Sequence, residues 1–123
     1  MKILALLLCA AGLLLSAERE GNFTIRFEPD AVLQANAPIP FKITVQDSLK
    51  NPVVGATVTL QVETVNHTHV KVYKAVMLTP PGTYRTIAYF PVAGEWNVYV
   101  EVHRNNSMSA RTIQFNVPES AAQ

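Results

Sequence analysis

The chain has 123 residues, 49% of them hydrophobic and 15% charged, with ten Lys and Arg against nine Asp and Glu. That length fits one domain, and a balance so close to neutral gives no long-range pull on nucleic acid or anionic lipid. Cys9 is the only cysteine, so neither an internal disulfide nor a multi-thiolate metal site can form.

The chain opens with Lys2, continues as an apolar run from Ile3 to Leu15, and then reaches Ser16, Ala17 and Glu18. One positive charge, about a dozen apolar residues and a small-residue end are the three parts of an export signal. The run is shorter than the roughly 20 residues a spanning helix needs. The expectation is therefore a signal peptide over residues 1–17, cut after Ala17, followed by a short linker over 18–21. Cys9 lies inside the apolar run after Leu8, not at its end after a small residue as lipid attachment would require. Without Lys2, nine Lys and Arg balance nine Asp and Glu, and the exported chain carries no thiol. The expected location is periplasmic or secreted.

Beyond the signal, two-residue alternation replaces helical spacing. Phe23, Ile25 and Phe27 alternate with Thr24 and Arg26; Phe41, Ile43 and Val45 alternate with Lys42 and Thr44. Val58, Leu60 and Val62 follow the same rule, as do Trp96, Val98, Val100 and Val102, and then Ile113, Phe115 and Val117. Alternation of this kind means strands with one face buried and one face wet. Residues 70–78 and 83–90 read as two more strands. Turn signals fall between them: Pro29-Asp30, Pro38 and Pro40, the polar stretch from Asp47 to Pro52, Pro80-Pro81-Gly82, Ala93-Gly94, and residues 104–109. Seven or eight strands at this spacing predict an all-β fold, an immunoglobulin-like antiparallel sandwich over residues 22–118, with a tail over 119–123. Gly82-Thr83-Tyr84 reads either as a tyrosine corner or as an ordinary strand tyrosine.

Three segments together carry a family resemblance. They are Asn51-Pro52-Val53-Val54-Gly55-Ala56-Thr57-Val58, Pro81-Gly82-Thr83-Tyr84, and Phe90-Pro91-Val92-Ala93-Gly94-Glu95-Trp96. In that order and spacing the chain resembles the YtkA-like domain family of exported or membrane-anchored bacterial proteins, related to FixH-type proteins, over residues 23–117. The resemblance implies a compact extracytoplasmic sandwich, in a family often associated with copper handling or oxidase assembly. Family members commonly carry Met- and His-rich middle strands and a Met in the proline-Ala-Gly turn. Here Val92 occupies that turn, and Met77 and Met108 are the only methionines after the signal.

His67-Thr68-His69 is the most suggestive local pattern. If it lies in a strand, both imidazoles point to one side and could share a divalent copper or zinc ion. Lys71 continues that face and would repel a cation, so the competing reading is a solvated polar surface. His103 has no placement from sequence. Glu63, Glu95 and Glu101 form no paired acid and base, and Ser48, Ser107, Ser109 and Ser120 sit outside any nucleophile elbow. Asn22, Asn66 and Asn105 head glycosylation-type triplets, which read as incidental. Tyr73, Tyr89 and Tyr99 form either an aromatic partner surface or ordinary cross-strand pairs. No catalytic, cofactor-binding or metal-binding residue is assigned. The expected function is a non-enzymatic module offering a protein- or envelope-binding surface, with no nucleic acid and no membrane span in the mature chain. The alternative is a periplasmic copper-handling accessory protein using His67 and His69.

Overall fold

A computed structural model describes residues 16–19 and 22–120. Most of the expected signal, including Cys9, and residues 121–123 of the expected tail lie outside the described residues. Among the described residues, nine strands occur in the order β1 (Ser16–Arg19), β2 (Phe23–Pro29), β3 (Pro38–Asp47), β4 (Thr57–Thr64), β5 (Val70–Lys74), β6 (Val76–Leu78), β7 (Thr83–Tyr89), β8 (Gly94–Arg104) and β9 (Ser107–Val117). They build two antiparallel sheets, β1-β9-β8-β4-β5 and β2-β3-β7-β6. Strands β2 to β9 reproduce the immunoglobulin arrangement, in which four strands in the order A-B-E-D face a sheet built on G, F and C. Strand β1 adds to the outer edge of β9, pairing Ser16 with Ile113 and Arg19 with Ala110. It therefore runs across the expected cut after Ala17 and into the expected linker.

The alternation read from sequence becomes the core. Ile25, Phe41, Ile43, Val45, Leu60, Val98, Val100 and Val102 are fully buried between the sheets, and their polar neighbours face out. Aromatic rings join the two layers edge to face: Phe41 and Phe115 lie 5.9 Å apart, and Phe90 and Trp96 lie 5.1 Å apart. Trp96 is 1% exposed, and its indole N–H donates to Val92 O at 3.0 Å, so the polar end of the ring is satisfied. In β9, Ile113 and Phe115 are only partly buried, whereas Val117 is fully so.

Two strands differ from their sequence reading. The strand expected over residues 70–78 is two strands, because the chain leaves one sheet after Lys74 and joins the other at Val76. The loop expected over 104–109 shrinks to a two-residue turn, with Asn105 at φ 57°. Asparagine is among the few side chains that adopt this left-handed conformation readily.

Tyr84 is a buried strand tyrosine that does the work of a clasp. Its ring faces the core beside Ile43, and its hydroxyl donates to Val53 O at 2.8 Å while accepting from Ala56 N–H at 3.2 Å. The hydroxyl thus ties down the β3–β4 connection about thirty residues upstream, which is not the short return of a tyrosine corner. Gly82 completes the joint. Its φ is +85°, and a Cβ there would meet Pro52 Cβ at 2.8 Å and Val45 O at 3.0 Å. Only glycine fits. Tyr84→Phe, which strands the Val53 carbonyl and the Ala56 N–H, should lower stability by about 1–3 kcal/mol. Gly82→Ala combines left-handed strain with overlap and should cost about 2–4 kcal/mol. Urea unfolding should show both as lower midpoints at an unchanged slope.

Candidate functional site

The histidine pair does not sit in a strand. Residues 65–69 form the β4–β5 connection, and its backbone is set by Thr64. Thr64 Oγ1 accepts from Thr68 N–H at 2.9 Å and from His69 N–H at 3.0 Å. The turn closes with His67 N–H donating to Thr64 O at 2.8 Å, and His67 adopts φ 63°. That left-handed residue breaks the alternation on which a shared site depended. The His67 ring turns to the outer face, where Nδ1 meets Glu63 Oε2 at 2.6 Å. The His69 ring packs on the inner side, 6.2 Å from the Trp96 ring and with Nδ1 3.1 Å from Thr68 Oγ1. The two imidazoles are divided between opposite faces of one sheet. His103 pairs with Thr57 at the far end of β4, about 23 Å of strand from Thr64. Among the described residues, no group of three or more His, Cys, Asp or Glu side chains could hold a metal ion.

The other candidates separate in the same way. Glu101 accepts from the Tyr99 hydroxyl at 3.2 Å and lies 3.5 Å from His103 Nε2. Glu95 is engaged by Gln114. Glu63 and Glu101 lie in register with Asn97 and Thr59, so about 13 Å of strand separates them. Such spacing leaves no paired acid and base. Ser109 is buried and accepts from Phe23 N–H at 3.1 Å; Ser107 accepts from the Asn22 side chain at 2.8 Å. Both serines pin the β8–β9 turn to the start of β2. Of the three tyrosines, Tyr73 and Tyr89 meet, while Tyr99 lies on the outer face of the β4–β8 ladder.

The surface that stands out is the β5–β6 segment with the neighbouring end of β7. Strand β5 is the last of its sheet, and β6 is the last of the other. Along them Val70, Val72 and Val76 are 60%, 55% and 65% exposed, with Met77 and Leu78 also open to solvent. Ile87 and Tyr89 on β7 are exposed as well. The cause is topological. Strand β6 has only three residues, paired with Thr83, Tyr84 and Arg85, so beyond Arg85 the β6 side of β7 has no strand, while β3 pairs its other side as far as Tyr89. Tyr73 takes part of that place: Tyr89 N–H donates to its hydroxyl at 3.2 Å, and the hydroxyl lies 3.5 Å from Tyr89 O. Between Tyr73 and Tyr89 opens a cleft of about 460 Å³, with Val62, Thr68, His69, Lys71, Pro91 and Trp96 among its other walls. Its chemistry is aromatic and apolar with a single ammonium. Sequence reasoning marked a strand over residues 70–78 and both cleft tyrosines but not the cleft, because nothing local shows that the segment changes sheets at Ala75.

No protein-family model matches the chain, and no curated protein matches it. Titration of the histidine resonances with divalent copper or zinc should show only weak binding, on the order of millimolar, as expected of separate imidazoles. His67→Ala should leave that affinity unchanged. Micromolar binding abolished by His67→Ala would contradict the divided geometry.

Proposed function

We propose that the chain acts outside the cytoplasm as a non-enzymatic immunoglobulin-like module whose β5–β6 flank is a protein- or envelope-binding surface. The single observation behind this reading is the exposure of Val70, Val72, Val76, Met77 and Leu78 along the two edge strands, with Ile87 and Tyr89 exposed on β7. Scattered exposed hydrophobes are ordinary, but several along two neighbouring edge strands beside an aromatic cleft make the kind of surface that partners cover. The other strongly exposed apolar residues, Val32 and Leu49, stand singly in loops and not on a strand edge. The export-signal pattern supports the location, and the resemblance to YtkA-like domains agrees with it. The divided histidines weigh against the copper-handling alternative.

The test is site-directed photocrosslinking in the producing cell. A benzoylphenylalanine at Val76 should give a discrete heavier adduct, while the same group at Thr24, on β2 at the opposite edge of the same sheet, should give none. Adducts at Thr24 alone, or at neither position, would overturn the assignment. Val72→Ser and Val76→Ser should change unfolding stability by less than about 0.5 kcal/mol, since both side chains already lie in water. Recovery of the intact chain in the cytosolic fraction would refute the location.

A further inference from the structure

Resting on that reading of the flank, we infer that β5 accepts an extended acidic peptide as a sixth strand of its sheet. The hydrogen-bond phase of the strand is fixed at both ends. Thr64 N–H donates to His69 O at 3.0 Å, and Ala75 N–H donates to Val58 O at 2.9 Å. Residues 69, 71, 73 and 75 therefore turn their backbone groups toward β4, and by alternation Val70, Val72 and Lys74 turn theirs outward. Lys74 O is taken by the Thr86 hydroxyl at 3.3 Å. Three N–H groups and two carbonyls remain in a row along the edge, which is the pattern a docking strand completes.

Side-chain parity says what that strand should carry. Val70 and Val72 register with Glu63 and Gln61 on the outer face, whereas Lys71 and Tyr73 register with Val62 and Leu60 on the inner face. A strand laid against β5 thus meets valines on one side. On the other side its side chains enter the cleft among Lys71, Tyr73, Tyr89 and Trp96. Among the described residues, Lys71 and His69 are the only ionisable groups other than tyrosine lining the cleft, and no carboxylate lines it. The nearest acid along the register, Glu63, lies on the opposite face and is engaged by His67. A carboxylate placed beside Lys71, with β-branched apolar residues alternating against Val70 and Val72, satisfies both faces at once. A second copy of β5 fits less well, because it would gather four lysines and no carboxylate into one two-stranded ribbon.

The experiment uses the isotopically labelled full chain and a capped nine-residue peptide of alternating valine and glutamate. Its controls are a lysine counterpart and a glutamate peptide N-methylated along one edge. The glutamate peptide should shift the amides of Val70, Val72 and Lys74 and the Trp96 indole, and should bind at least about tenfold more tightly than the lysine peptide. Lys71→Glu should reverse that order, Lys71→Gln should erase it, and N-methylation should abolish binding. Equal binding of the two charged peptides, indifference to N-methylation, or shifts confined to the outer faces would overturn the inference. So would concentration-dependent broadening of the β5 amides without peptide, which would mark self-pairing. Crosslinking at Val76 with no response to any peptide would defeat the acidic-strand inference alone; absence of both would defeat the binding surface as well.

Discussion

Nine residues, 70–78, must serve as the edge of two different sheets, and the exposed flank and its cleft follow from that constraint. The chain spends five residues beside β4, crosses at Ala75 and has three left to pair with β7. A longer β6 would have covered β7 to its end. A segment that stayed beside β4 would have left the second sheet with one strand fewer. The compromise leaves the end of β7 without a strand on its β6 side, and buried or half-buried backbone groups there need some other donor or acceptor. The Tyr73 hydroxyl supplies one, and the space it cannot fill is the cleft.

The opposite end of the sandwich is closed by a different device. There Tyr84 reaches from β7 to the backbone at Val53 and Ala56, and Gly82 lets Pro52 and Val45 approach the chain more closely than any side chain would allow. The two tyrosines thus perform related tasks with unequal completeness. Tyr84 is buried, carries two hydrogen bonds and leaves no gap. Tyr73 stands half exposed above an opening. The contrast explains why one end of β7 reads as pure structure and the other as surface available to a partner.

Period two was legible wherever one face is dry and the other wet, which is why β2, β3, β4 and β8 and most of the core followed from the residues alone. Between 70 and 78 the pattern fails for a physical reason: both edges are exposed on both faces, so alternation carries no burial signal and a change of sheet leaves no trace. The histidine pair misled for another reason. Spacing by two implies a common side only when every intervening φ is extended, and His67 at φ 63° turns its neighbour away. The polar run of Asn66, His67 and Thr68 held the clue, since asparagine and threonine side chains readily cap turns. Tyr84 was visible as a buried ring, but its long reach to Val53 depends on a loop position that only the folded chain defines.

An open strand edge is a hazard as well as an opportunity, and β5 shows how the two are reconciled. A lysine on the inward-facing side of an edge strand discourages indiscriminate pairing, because an incoming strand must either desolvate the ammonium or match it. Lys71 occupies that position, and Tyr73 beside it already satisfies the nearest backbone groups of β7. Apolar strands, including another copy of β5, meet an unmatched charge at the centre of the contact. A strand bearing a carboxylate at that point meets none. Rejection of the many and acceptance of the few then come from one side chain, because the charge that penalises a poor partner is the charge that a good partner neutralises.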